Sequence, residues 1–321
     1  MSYVLGMDVG GTNVVAGLFD SHGTLVRKIK TPTEKRRGAD GLLLQLAGFA
    51  TELLDAEGVA RERLGAIGLG LPGFIDPIAG LVDAANLPLS RTPVSDRLGE
   101  LTGVPVTVQN DVKMIVYGES LRGAGQNLPH VLGVTLGTGM ASAWVSQGRL
   151  HDGAGNLAGE LGHITFPDIP YVCGCGMKGC IETVASATGI ARQARDAIAE
   201  GWEGPLSARV SADRLGELTS KDVSEACRAG DSMAIEIYRR TANWLSQALV
   251  PVIAVLCPDV IVVGGGVASA GSVFFEPLTA AISERLHPLL REHLRIVPPL
   301  LGDDAGLYGS AEYAKSVILR S

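Results

Sequence analysis

A stretch near the start of the chain returns 127 positions further on. Aligned without gaps, LGMDVGGTNVVAG (5–17) faces LGVTLGTGMASAW (132–144), so that Leu5 meets Leu132, Gly6 meets Gly133 and Gly10 meets Gly137. Solenoids and propellers repeat every ~20–50 residues, so a period this long predicts two related domains. Each copy reads as a β-branched run, a Gly/Thr turn and a second extended run, the pattern of a hairpin. After the first copy, SHG and TLVRKIKT extend the hairpin into a three-stranded meander. A chain of 321 residues, 46% of them hydrophobic, is long enough to bury two cores.

Between and behind the meanders the pattern alternates. Leu42, Leu46, Phe49 and Leu53 recur at helical spacing, GAIGLGL (65–71) and VPVTVQN (104–110) read as buried strands, and 93–102 reads as a helix between them. Helical stretches follow near 183–199 and 231–250, then the short strand VIVV and the triplet Gly264, Gly265, Gly266. The class is therefore mixed α/β. The glycine-rich, polar RGAGQNLPH (122–130) suits a hinge, and a last helix near 304–317 is expected to return to the first domain. The expected division is 1–121 plus 303–321 for a smaller N-terminal α/β domain, and 122–302 for a larger C-terminal one.

A formal net charge of -7 argues against nucleic acid or an anionic membrane as the main partner. The basic stretch Arg27, Lys28, Lys30, Lys35, Arg36 and Arg37 reads as a solvated hairpin edge, where lysine guards against strand pairing. The opening MSYVLGMDVG enters a strand pattern at once, so no signal peptide is expected. The longest apolar run, Ala248 to Cys257, contains Pro251 and is too short to span a bilayer. The expected compartment is the cytoplasm, where clustered cysteines point to metal or redox work before disulfides.

Three segments carry chemistry. In DVGGTN (Asp8, Gly10, Gly11, Thr12, Asn13) glycines let backbone N–H groups approach an anion, and Thr12 adds a hydroxyl donor. One such turn alone could be an ordinary hairpin, but Gly137, Thr138 and Gly139 repeat it in the second domain. Asp8 has no carboxylate counterpart at Thr135, as a single Mg2+ bridging nucleotide phosphates would require. The second segment is QNDVK (109–113). It ends a strand and opens a helix, so Asp111 is either a plain N-cap or a carboxylate at the sheet edge where ligands gather, able to take a hydroxyl proton as oxygen attacks the γ-phosphate.

In CGCGMKGCIE (173–182), three of the five cysteines fall within eight positions. Cys173 and Cys175 are too close in sequence for a mutual disulfide. Cys173, Cys175 and Cys180 with His163, from GELGH, make a closed tetrahedral structural zinc site. Free thiols and redox chemistry are the alternatives. Glu160 and Glu182 flank this loop and are either solvated or acceptors for sugar hydroxyls, as is the His163 ring nitrogen not on the metal.

Taken together, these segments resemble the ROK family of sugar kinases and sugar-responsive repressors. DVGGTN, GLGLPGFID (68–76), ND (110–111), LGTG (136–139), GAGNLAGELGH (153–163), CGCGMKGCIE and VVGGGV (262–267) occur in family order. The resemblance implies a two-domain actin-like (ribonuclease H-like) ATPase fold with a cleft between domains, and ATP-dependent phosphorylation of a hexose with Mg2+. Glucose at its 6-hydroxyl is the expected acceptor; N-acetylmannosamine, allose or fructose are alternatives, and a non-catalytic sugar sensor or regulator is a further one. It implies Asp111 as catalytic base, and Asn110, Asp111, Glu160, His163 and Glu182 as sugar contacts. Phosphate falls at 10–13 and 137–139, adenosine at Gly264, Gly265 and Gly266, and zinc at His163, Cys173, Cys175 and Cys180. Family members are commonly homodimers. Repressors carry a DNA-binding module ahead of the kinase-like body, which a phosphate turn at Asp8 speaks against. Two departures stand out: Met140, Ala141, Ser142 and Ala143 follow GTG where the family usually has more glycines, and Val112 and Lys113 replace small or amide residues, placing Lys113 near the reacting centre.

Overall fold

The computed structural model describes residues 2–318. Strands β1 (Tyr3–Val9), β2 (Asn13–Phe19) and β3 (Leu25–Pro32) lead to helix α1 (Gly38–Ala56), then β4 (Leu64–Leu71), β5 (Phe74–Asp76), β6 (Leu81–Ala84), β7 (Leu89–Pro93), α2 (Val94–Thr102), β8 (Val106–Asn110) and α3 (Asp111–Arg122). Next come β9 (His130–Leu136), β10 (Met140–Ser146), β11 (Arg149–Leu150), α4 (Glu182–Ala185), α5 (Ala187–Ala199), α6 (Ser220–Arg228), α7 (Ser232–Leu256), β12 (Val260–Gly264), α8 (Ser272–Arg285), α9 (Pro288–Arg291), β13 (Arg295–Val297) and α10 (Ala305–Ile318).

The repeat survives to the residue: each bound of β1 and β2 recurs in β9 and β10 displaced by 127. The sheets share an order too, β3-β2-β1-β4-β8 in one and β11-β10-β9-β12-β13 in the other, with a third small sheet β5-β6-β7. β1 and β4 run parallel, as do β9 and β12. Because the parallel strands are covered on both faces, their central stretches, such as 4–7 and 260–263, read as buried runs without alternation.

The chain forms two units. The first takes the residues up to Asn127, Val145–Ala158 and the stretch from Leu300; the second takes Leu128–Trp144 and Gly159–Pro299. In the first, Leu42, Leu46, Phe49 and Leu53 of α1 pack with Leu5, Met7 and Ile67 of the sheet. On the other face, Leu307, Ala311 and Ala314 of α10 pack with Val4, Phe19 and Ala66. Helices α3 and α10 meet backbone to backbone, since a Cβ on Gly309 would lie 1.8 Å from the Met114 carbonyl oxygen. In the second unit, α7 supplies Ile237, Tyr238, Leu245 and Leu249 to a core shared with Val134, Ile261 and Val263.

β3 is a sheet edge, and its Arg27, Lys28 and Lys30 are exposed. Arg27 and Lys28 pair with Glu57 and Asp304 at 2.5 and 2.8 Å. Such half-exposed pairs contribute at most about 1 kcal/mol each, so Arg27, Lys28 and Lys30 form a solvated edge, while Lys35, Arg36 and Arg37 lie beyond the strand in the exposed turn before α1.

Local capping refines the helix bounds. The stretch near 183–199 divides at Ser186, whose hydroxyl accepts the Gly189 N–H at 3.1 Å and starts α5. Helix α7 runs on past Pro251 to Leu256. Among the described residues, no helix is long and apolar enough to cross a membrane.

Candidate active site

In the first unit, Asp8, Gly70 and Gln109 stand in one row across β1, β4 and β8, at the carboxyl ends of three parallel strands. The turn after β1 is braced from below: the Thr33 hydroxyl donates to the Gly10 carbonyl at 2.7 Å, and the Gly10 N–H donates to the Asn13 carbonyl at 2.9 Å. Gly11 faces the Asn86 amide, whose nitrogen would lie 3.2 Å from a Cβ there.

Asn110, not Asp111, caps α3: its side-chain oxygen accepts the Lys113 N–H at 3.2 Å. Asp111 is therefore the first helical residue, and its Oδ1 accepts the Val112 N–H at 2.8 Å. Burial raises the Asp111 carboxyl above its usual range despite that bond. The Asp8 carboxyl is pushed up from 3.8 to about 6, through burial first and then the charges of Asp111 and Asp303. Two acids that repel each other in a partly dry site create the demand a cation would satisfy.

The raised Asp8 carboxyl has a stability consequence. Between pH 4 and 6 the folded protein holds a proton on Asp8 that the unfolded chain releases, so stability falls as pH rises through that window. The difference between 3.8 and about 6 is equivalent to about 3 kcal/mol. Without nucleotide or Mg2+, Asp8→Asn is expected to be more stable than wild type by about that amount at pH 7.5 and little different at pH 4. Urea unfolding at the two pH values checks it; an equal difference at both would contradict the assignment.

In the second unit, the 137–139 turn is tied to α5 and α4. The Ala187 N–H donates to the Gly137 carbonyl at 2.8 Å, and the Thr188 hydroxyl donates to the Thr138 carbonyl at 2.8 Å. A Cβ on Gly139 would lie 2.5 Å from Glu182 Oε2, and the Met140 N–H donates to that same oxygen at 2.8 Å. The glycine is thus needed for a carboxylate already present in the chain. Gly264 pairs in register with Thr135, and Gly265 (φ +85°) lies so close to Leu136 that a Cβ would meet its carbonyl oxygen at 2.4 Å. The glycine triplet and the Gly/Thr turn therefore sit side by side at the ends of β12 and β9.

His163, Cys173, Cys175 and Cys180 converge, with one donor atom from each lying within 4.8 Å of the others. Cys175 and Cys180 Sγ are 3.6 Å apart, and Cys173 Sγ is 3.7 Å from His163 Nδ1. A tetrahedral zinc with bonds of about 2.3 Å to sulfur and 2.0–2.1 Å to nitrogen demands edges of about 3.8 and 3.6 Å, so the residues fit the ion. Burial first, then the two neighbouring thiols, push Cys180 up to about 12, and a divalent cation would supply the charge that lets thiolates form. Short bridges, Thr165↔Cys180 and Val172↔Lys178, shape the loop. With Nδ1 turned to the sulfurs, His163 Nε2 faces Glu160 Oε2 at 3.6 Å. Glu182 Oε1 lies 3.5 Å from Cys173 Sγ, so this carboxylate joins the cysteine cluster to the phosphate-type turn.

The Lys113 ammonium is engaged by the 152–156 loop. Its Nζ donates to Asp152 Oδ1 at 2.7 Å and to the Asn156 carbonyl at 2.9 Å. Sequence pattern alone does not single out Asn86 or Asp303. Asn86 sits in an ordinary AANLP with no local signal; Asp303, in GDDAG, belongs to an acidic pair at a helix start that could have marked it.

Residues 4–317 match the ROK family. A glucokinase of Halalkalibacterium halodurans is 36% identical over 315 residues, covering 98% of this chain and 95% of that protein. The solved ROK hexokinase of Thermus thermophilus aligns with a TM-score of 0.84 at 30% identity, covering 99% of this chain and 100% of that one. A ROK family glucokinase of Streptomyces griseus, solved in complex with glucose and AMPPNP, aligns with a TM-score of 0.79 at 29% identity, covering 98% and 100%. The fold is the actin-like ATPase fold of these kinases.

Proposed function

The chain belongs to the ROK family, and we propose that it is a hexokinase, moving the γ-phosphoryl group of ATP to the 6-hydroxyl of glucose. The observation that carries this reading is the pair Asp8, near the carboxyl end of β1, and Asp111, just past the carboxyl end of β8 with β4 between the two strands, both with raised pKa. A base whose pKa is lifted toward the working pH transfers protons more effectively than an ordinary exposed carboxylate.

In the transfer, the O6 proton passes to Asp111 as the O6–P bond forms. The bond from γ-phosphorus to the bridging oxygen breaks, and ADP leaves with that electron pair. Asp8 would hold the Mg2+ that travels with the nucleotide, while the turns at 10–13 and 137–139 receive its phosphates and Gly264, Gly265 and Gly266 border its adenosine. Asn110, Glu160 and Glu182 accept hydrogen bonds from sugar hydroxyls, and His163 meets the sugar through Nε2. His163, Cys173, Cys175 and Cys180 would hold a zinc ion, which with four protein ligands would have a structural role and lend rigidity to the loop. The protein is taken to work in the cytoplasm as a homodimer.

Product analysis tests the reading. After incubation with Mg-ATP and glucose, phosphorus NMR is expected to show a phosphomonoester on O6 with equal ADP. Phosphate on another oxygen, or free phosphate alone, would count against it.

A further inference from the structure

We propose that Lys113 is a positioning residue for the acceptor sugar: its ammonium clamps the 152–156 loop onto the first turn of α3 and thereby sets the affinity for hexose. The proposal rests on the sugar-kinase reading for its substrate, but the clamp itself stands on geometry within the first unit.

Lysine is almost never buried without a partner, and the Lys113 side chain is only 6% exposed. Its charge is met by Asp152 Oδ1 at 2.7 Å, and it donates a second bond to the Asn156 carbonyl at 2.9 Å. Asp152 Oδ1 also accepts the Gln109 side-chain N–H at 3.1 Å, and Gln109 Oε1 accepts the Asn110 N–H at 2.8 Å. The consecutive residues 109–113 therefore hold the strand end, the helix cap, the candidate base and two anchors for one loop.

The loop is closed on itself by the Ala158 N–H, which donates to the Asp152 carbonyl at 2.9 Å. Gly153, Ala154, Gly155 and Leu157 are exposed. Asn156 sits in the left-handed region at φ 62°, which asparagine adopts more readily than most residues, and Lys113 holds its carbonyl at 2.9 Å. Asn110 and Asp111, both proposed sugar contacts, lie at the strand end and first helical turn against which this loop is clamped, so the clamp braces the acceptor side of the site within the first unit. A small or amide side chain at 113 would lack the reach to do this.

The test is Lys113→Met, which keeps the length and removes the charge, with Asp152→Asn as a milder second variant. In Lys113→Met, KM for glucose is expected to rise at least tenfold while KM for ATP stays within twofold, and hydrogen exchange across 152–158 is expected to quicken at least tenfold with α1 unchanged. Asp152→Asn should move both readouts the same way by less. Unchanged exchange in the loop, or parallel rises in both KM values, would overturn the proposal; so would wild-type glucose KM in Asp152→Asn if Lys113→Met fails to fold. Should the wild type phosphorylate no hexose, the kinase reading falls, and the exchange measurement still decides the clamp.

Discussion

Asp111→Asn is expected to cut kcat for hexose phosphorylation by roughly 10²–10⁴-fold, about 3–5 kcal/mol of barrier, with KM for ATP little changed. The amide keeps the shape of the carboxylate and can still accept the Val112 N–H that Asp111 accepts at 2.8 Å, so the helix start should survive. What it loses is the ability to take the sugar proton. Loss of a neighbouring charge also relieves Asp8, whose raised pKa is due in part to Asp111. A variant with near wild-type kcat would show that the proton goes elsewhere. A variant whose KM for ATP rises with the fall in kcat would place residue 111 on the nucleotide.

Cys175→Ser is the second large effect. Protein purified without added zinc should carry close to one equivalent, and the variant should carry almost none, because the remaining three donors no longer close the tetrahedron that the 3.6 and 3.7 Å edges outline. Metal affinity in such a site is folding energy for the loop around it. Loss should spread to Glu182, which touches both Cys173 Sγ and the Met140 N–H. KM for glucose is therefore expected to rise at least tenfold, and KM for ATP to rise by a smaller factor through the displaced 137–139 turn. Stoichiometric zinc retained in Cys175→Ser, measured by metal analysis, would undo the assignment.

The strands were the most legible part of the chain. A repeat displaced by 127 positions carries hydrogen-bonding geometry with it, and the bounds of β9 and β10 follow those of β1 and β2 at that displacement. The helices were legible in their centres, where Leu42, Leu46, Phe49 and Leu53 share one face, and less so at their ends. Ser186 divides one stretch and Asn110 displaces Asp111 as the cap, both through single side-chain bonds that periodicity does not carry. The cysteine cluster was legible because Cys-x-Cys-x4-Cys with interleaved glycines has few other uses.

What escaped the sequence were partners distant in the chain. Nothing around Gly139 reveals that Glu182 occupies the space of its missing Cβ, and nothing around Lys113 reveals Asp152. Glu119 is a third case: it is 1% exposed, and its two oxygens accept the Ala124, Leu300 and Leu301 N–H groups at 2.8, 3.0 and 2.7 Å. A glutamate inside a helix reads as solvated until the fold brings those amides to it.

The most direct measurement is ADP formation by the purified wild-type protein with Mg-ATP across glucose, mannose, fructose, allose, N-acetylglucosamine and N-acetylmannosamine. Turnover should depend on the sugar, with glucose giving the highest kcat/KM. If none of these hexoses raises ADP formation above the rate with water alone, the account is wrong.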